Sequence, residues 1–309
     1  MIPLLLLYKI AQLFVVMVLG FVLVKAHVVR SEDSVVLSRI SLYLLMPATI
    51  INAFHVQITP DILQGILLAF GAAIAIHVLF FAADAVFKRA GKGTTVERAS
   101  ILYPNAANLI IPIVSFVLGE EWVIYTCAFI TVQLSCIWTQ GVHMFSSERG
   151  FRWKKIVLNP NLIAIAVGAL IMVTGVRLPA FVTDITSSLG GVLGYVGMLI
   201  AGMTAAKLDF RAMLKHRRLY LTTAMRVVVL PALVLVLIRC VLPFLPVAHA
   251  DRILLVSFLA SMTPAAATVM QLSQVYDTEV EYSVAINIAT TLVACVTMPL
   301  FVWLYEFMM

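Results

Sequence analysis

Ten apolar runs, each bounded by charged or turn-forming residues, partition the chain: residues 4–25, 35–54, 62–87, 98–117, 122–145, 159–175, 180–205, 219–242, 251–274 and 281–305. A helix spans the hydrocarbon core with about 20 residues. The pattern therefore predicts ten transmembrane helices joined by short loops, with little chain left for a soluble domain. The second and seventh runs are the least hydrophobic. The seventh carries Gly190, Gly191, Gly194, Gly197 and Gly202. Small residues let helix backbones approach closely in lipid, so this helix is expected inside the bundle. The fourth run holds Pro104 and Pro112, and the ninth holds Pro264. Proline in a helix interior removes a backbone hydrogen bond and clashes with the preceding turn, so both helices are expected to be broken.

Composition sharpens the class. The chain has 309 residues, 62% of them hydrophobic and 12% charged, with a mean hydropathy of +1.06. A soluble domain is about half apolar and a quarter charged. Apolar surface on this scale must face lipid. The net charge of +6 invites a nucleic-acid partner, but the placement of the charges argues against one. The segments following the first, third, fifth and seventh runs carry three, four, four and five Lys or Arg, sixteen of the 21 in the chain. The opposite side carries only Lys9, Arg177, Arg239 and Arg252, and Arg226 falls within a run. Basic loops stay cytoplasmic. The asymmetry predicts a multi-pass protein of the cell (plasma or inner) membrane with both termini outside. The loop between the ninth and tenth runs runs against the trend, being acidic at Asp277, Glu279 and Glu281. No cleavage pattern follows the first run, so no removable signal peptide is expected. Cys127, Cys136, Cys240 and Cys295 all lie in apolar runs without a CxxC pair, which reads as small buried side chains rather than disulfides or metal ligands.

The basic segment after the fifth run is the natural midpoint. It divides the chain into a first five-helix unit, 1–147, a cytoplasmic linker, 148–158, and a second five-helix unit, 159–309. With an odd number of spans in each, the second unit enters the membrane from the opposite side, which is the plan of inverted-repeat transporters. The proline-bearing fourth and ninth runs occupy matching places in the two units. Interrupted helices at matching places point to a midplane binding site.

The residues available for chemistry cluster there. Asn105 and Asn108 lie between Pro104 and Pro112, where backbone groups freed by the prolines need partners or a water-lined cavity. Their amides can bind a carboxylate, or they can bond neighbouring helices around a plain kink. Thr263 and Pro264 are followed by Ala265; if a helix restarts there, its N-terminus offers N–H donors and a positive dipole end to an anion. Arg226, five residues before Pro231, either faces a cavity or snorkels to the interface; both readings stay open. His77 and Asp84 share a helix face and could relay protons, but Asp84 lies near the helix end beside Lys88, where an ion pair is the favoured reading. His143 reads as interfacial. Gln133, Gln271 and Asn287 are intramembrane amides of the kind that usually bond helices together. The chain contains no HExxH, P-loop or GxSxG motif, so no catalytic residue, metal site or cofactor is expected, and an ATP-driven pump is disfavoured.

Several segments resemble the auxin efflux carrier family, which includes plant auxin carriers and bacterial carboxylate transporters. Residues 18–54 are similar to its first two helices, with Gly20 and Pro47 in place. YPNAANLIIP at 103–112 resembles its fourth-helix signature, NPNLIAIAVGALIMVTGVRLP at 159–179 its sixth-helix opening, and TPAAATVMQLSQVYD at 263–277 its ninth helix. Arg226 stands where the family often has Lys or Arg. The resemblance runs over essentially the whole chain. It implies an all-α fold of ten helices in two inverted five-helix repeats, with broken helices four and nine crossing at the substrate. Ile110 stands where the family usually has Gly, and Tyr195 where it usually has Pro; both bear on substrate identity.

These readings give an expected secondary transporter of a small organic anion, a carboxylate, working by alternating access. The expected substrate contacts are Asn105, Asn108, Pro112, Thr263, Pro264, Ala265 and Arg226. Partners would be the anion, a coupling ion (proton or sodium) and the lipid bilayer; a homodimer is left open. The rival readings are a sodium-coupled bile-acid-type symporter of similar architecture, a channel-like or receptor-like protein, and an intramembrane enzyme. The topology is testable by single cysteines on a cysteine-free background, labelled in intact cells with an impermeant thiol reagent. Positions 57 and 120 should label, and positions 31 and 147 should not; strong labelling at 147 would overturn the orientation.

Overall fold

In the computed structural model, residues 2–54, 59–89, 93–146, 158–207, 213 and 215–309 are described. Among them the structure is almost entirely helical, with no β-strand and one isolated antiparallel β-bridge. Seven helices are long and apolar enough to cross a membrane. They are α1 (Ile2–Lys25), α2 (Ser31–Ala53), α3 (Pro60–Arg89), α6 (Glu120–Phe145), α8 (Ala180–Ala205), α9 (Arg217–Phe244) and α12 (Val280–Met308). A shorter apolar helix, α7, covers Pro160–Thr174. The remaining two predicted runs are each split: α4 (Thr95–Leu102) and α5 (Ala106–Val117), then α10 (Ala250–Ser261) and α11 (Ala267–Val275). The linker expected at 148–158 lies outside the described residues except for Leu158, as do positions 57 and 147.

Large apolar side chains point outward along the apolar helices, among them Leu19 on α1, Leu67 and Val78 on α3, Leu170 and Val173 on α7, and Val296 on α12. Apolar surface in such quantity has no place in water, and it identifies a membrane-embedded bundle. Two buried carboxylates, Asp84 and Glu97, are compensated. Arg98 grips Asp84 through two donors, Nε to Oδ1 at 2.8 Å and Nη2 to Oδ2 at 2.6 Å. Asp84 is therefore ion-paired as expected, with Arg98 of α4 as the partner where the sequence suggested its neighbour Lys88. Glu97 is buried, closes a capping box with Thr94, and accepts from the Tyr282 hydroxyl at 2.8 Å.

Prolines are accommodated in three ways. Ahead of Pro47 in α2 and Pro231 in α9, the helix widens into a π turn, Ser41–Leu45 and Met225–Val229 respectively. A widened turn makes room where the proline ring would strike the preceding carbonyl. At Pro104 and Pro264 the helix stops. Tyr103 turns to an extended conformation (φ −106, ψ 109), as a residue before proline prefers. Pro112, by contrast, sits inside α5 without breaking it. The interruption of the fourth run is thus confined to residues 103–105 rather than extending to Pro112.

The glycine-rich α8 is buried along one face only. Gly20 and Gly202 stand at the α1–α8 crossing, where a Cβ would collide with the backbone carbonyl of Leu199 or Met17. Phe181, Ile185 and Val192 on the same helix are exposed. The expected close packing of this helix is found along its glycine face, while the opposite face is exposed, because close approach requires small residues only along the line of contact. Gly202→Ala is accordingly expected to cost about 1–3 kcal/mol through overpacking, read as a lower thermal midpoint in detergent. Gly191→Ala, where nothing lies within 4 Å, should not lower the midpoint.

Candidate functional site

The two helix breaks meet each other. Asn105 N–H donates to the Pro264 carbonyl at 2.7 Å, and Ala266 N–H donates to the Tyr103 carbonyl at 2.9 Å. These bonds form the antiparallel bridge between Pro104 and Ala265. Non-helical backbone in a membrane protein must be satisfied by protein or by a cavity, and here each break satisfies the other. Flanking helices complete the accounting. Gln133 of α6 donates through Nε2 to the Pro104 carbonyl. Asn287 of α12 donates to the Ala265 carbonyl at 2.7 Å, and Thr290 accepts from Ala265 N–H at 3.1 Å. Two of the three singled-out amides, Gln133 and Asn287, thus act as backbone partners of the breaks.

Arg226 secures the same junction from the other side. It is fully buried, so it does not snorkel. Its Nε donates to the Thr263 carbonyl at 3.1 Å, its Nη1 to the Ile101 carbonyl at 3.0 Å, and its Nη2 to the Ser261 carbonyl. Ile101 and Ser261 lie in the last turns of α4 and α10. The last carbonyls of a helix have no intrahelical donor and form its negative dipole end; one guanidinium therefore serves two helix C-termini. Its carbon also lies 5.2 Å from the Phe80 ring centroid. The side chain sits in the wide π turn that precedes Pro231.

Beyond the bridge, the N-termini of α5 and α11 border a cavity with about 70 Å³ of accessible space. Asn105 stands at the N-cap of α5, and Ala267 and Thr268 open α11; all three line the cavity. Its remaining polar lining comes from Ser38 and Ser41 of α2, Asn161 of α7, Thr204 of α8, Gln271 of α11, and Asn287 and Thr291 of α12. None of the lining residues is charged. Asn161 is fully buried with neither amide atom hydrogen-bonded, and the buried Ser41 hydroxyl is likewise unpartnered. Each unmet buried polar group costs about 1–3 kcal/mol, so these groups fit a cavity that receives water or a polar ligand.

The predicted contacts distribute unevenly around this site. Asn105 lines the cavity. Asn108 lies in the first turn of α5, and its side chain falls outside the described residues. Thr263 is fully buried and spends its hydroxyl on the Ala260 carbonyl at 2.9 Å. Pro264 borders an adjoining apolar pocket, and Ala265 commits both backbone groups to α12. Pro112 packs on α8, where a Cβ at Gly194 would lie 2.9 Å from the ring. The lining of the ninth run starts at Ala267, just past the residues expected from sequence. Ser38, Ser41, Asn161, Thr204 and Thr268 were not anticipated. The signals available were the Asn159-Pro160-Asn161 cluster and the low hydrophobicity of the second run. Among the described residues no group of His, Cys, Asp or Glu could hold a metal.

A bridged pair of half-helices around a polar cavity is an arrangement for holding a solute inside a membrane. The comparison with protein families agrees with that reading. A family model described as membrane transport protein matches residues 5–152 and again residues 149–302. The chain belongs to this family, the auxin efflux carrier family of membrane transport proteins. No curated protein matches the chain. For this membrane transport protein, the geometry assigns Arg226 a positioning task. Arg226→Met should strand carbonyls at two helix ends and lower stability by about 3 kcal/mol or more, since each buried unmet group costs about 1–3 kcal/mol. Arg226→Lys keeps the charge but loses the planar fork and should fall between. Thermal unfolding of the detergent-purified proteins checks the order; equal midpoints for wild type and Arg226→Met would refute it.

Proposed function

We propose that this membrane transport protein is a secondary carrier of a small organic anion, a carboxylate, working by alternating access. The observation that carries this reading is the convergence of two helix N-termini, α5 and α11, on one polar cavity that also holds an unpartnered buried amide. Helix N-termini present N–H donors and the positive dipole end, which favour an anion. An uncharged lining suits a carrier, because the empty site must change its exposure without burying an unpaired charge. The reading includes ten spans in two inverted five-helix units, 1–147 and 159–309, with the α4–α5 and α10–α11 segments crossing at their breaks. The mutual bridge and the two successive family matches, which divide near residue 150, support it. The cavity lies toward the ends of α1 and α8 that carry Lys25 and Lys207; the basic-loop count puts that side in the cytoplasm.

In this scheme Asn105 donates to the carboxylate, the first turns of α5 and α11 supply further donors, and Asn161 and Ser41 meet polar atoms elsewhere on the substrate. Arg226 acts indirectly, by holding Thr263, Pro264 and Ala265 in place. A cavity of about 70 Å³ favours a compact anion over a four-ring sterol acid. Uptake by proteoliposomes of acetate, malonate, succinate and benzoate, with sodium and pH varied independently, tests the class. Saturable uptake of at least one is expected; failure of all four across the ion conditions would sink it. With the carried anion in hand, Asn105→Ala and Asn161→Ala should each weaken binding by about 1–3 kcal/mol, as for a lost buried polar partner. Asn105→Asp should be worse than Ala, because it sets like charge against the substrate. Wild-type affinity in Asn105→Asp would remove Asn105 from the site.

A further inference from the structure

Away from the cavity lies a buried cation that the site described above does not use. Lys9 on α1 stands sixteen residues before Lys25 at the helix end, about 24 Å of helix at 1.5 Å per residue. It is 8% exposed. Its Nζ donates to the Tyr195 hydroxyl at 3.2 Å. The same atom lies 4.7 Å from the Tyr195 ring centroid and 5.0 Å from that of Phe116. Phe116 in turn stacks on Tyr8, with centroids 6.2 Å apart. Three helices, α1, α5 and α8, thus close on one ammonium group. Among the described residues no carboxylate lies within ion-pair distance of it. A cation in a membrane span is expensive and marks a pathway more often than not. Here two aromatic faces and the C-terminal end of α5 offset only part of the cost.

Its position gives it meaning. The next residue, Ile10, lines an apolar pocket with Leu13, Ile113 and Pro264. Leu109, Met198 and Thr291 line both that pocket and the polar cavity. The sequence through the molecule is therefore polar cavity, apolar constriction, then the Lys9 cage. Near the cage, past the end of α5, come Glu120 and Glu121, and Glu120 accepts from Ser115 of α5. An acidic rim repels anions, so an entry on that side needs a cation behind it.

We propose that Lys9, Tyr195 and Phe116 form the closed gate on the side opposite the cavity, and that Lys9 is the first anion-binding point when this gate opens. The second half rests on the anion-carrier reading. Opening separates Lys9 from Tyr195 on α8 or from Phe116 on α5, and the freed ammonium takes the incoming carboxylate. Closing returns Lys9 to the hydroxyl and the ring faces and releases the anion inward. The charge has a partner in both states, which is why it is tolerated at this depth.

The test needs no knowledge of the substrate. With Cys127, Cys136 and Cys240 replaced by Ala, the remaining Cys295 lines the apolar pocket behind the gate. Its reaction with anionic and cationic methanethiosulfonates, added from the gate side of oriented vesicles, reports both gate opening and charge preference. In the parent the reaction should be slow, with the anionic reagent at least threefold faster. Lys9→Gln should speed both reagents at least tenfold and abolish the preference, while Lys9→Arg should keep it. Unchanged rates and preference in Lys9→Gln overturn the proposal. Faster labelling with the preference intact overturns the anion role and upholds the gate. If Lys9→Gln does not fold, Phe116→Leu removes one wall of the cage and keeps the charge. Labelling should then rise tenfold with the preference retained, and an unchanged rate overturns the gate.

Discussion

The structure depends on one short piece of backbone pairing. Two helices are stopped by proline, and the peptide groups released at Tyr103 and Asn105 pair with those at Pro264 and Ala266. In lipid neither break is tolerable alone, since an unsatisfied peptide group has no water to turn to. Each break is therefore the condition for the other, and the segments on either side are fixed around their meeting point. Arg226 extends the same logic to the carbonyl ends of α4 and α10. Gln133 and Asn287 extend it to the carbonyls of the breaks themselves.

The electrostatic consequence is a separation of poles. Helix C-termini, which are negative, converge on a guanidinium buried away from the cavity. Helix N-termini, which are positive, converge on the cavity, whose lining residues carry no charge of their own. The field at the cavity thus comes from fixed peptide dipoles rather than from a titratable side chain. Such a field does not vanish with pH and involves no side chain that must be desolvated when the site is empty. The second buried cation among the described residues, Lys9, is held by aromatic faces and a hydroxyl, which offset only part of its desolvation cost.

Much of this was legible in the sequence. The apolar runs predicted the long helices because hydrophobic length is a local property. Pro104 and Pro264 predicted the breaks because proline acts on its own turn. The limits were equally physical. Pro112 is absorbed within α5 against Gly194, which only packing reveals. Arg226 offered two readings, cavity or interface; its burial excludes the interface, and the carbonyls that it binds could not be foreseen because they come from segments 125 and 35 residues distant. Asn161 lines the cavity through the rotation of α7 about its axis, which hydrophobicity in an almost wholly apolar helix does not specify, and Ser41 is one of several serines on α2 among which hydrophobicity does not choose. Thr263 looked available from its neighbours in sequence, yet its hydroxyl is consumed by its own helix.

The central claim is that an anion is held at the N-termini of α5 and α11. A high-resolution density map of the protein saturated with a carboxylate that it transports would address this most directly. The account predicts carboxylate density in the cavity, within hydrogen-bond distance of Asn105 and the first turn of α11, and with Asn161 turned to meet the ligand. Carboxylate density bound to Arg226, or lodged outside this cavity with Asn105 and Asn161 untouched, would contradict it.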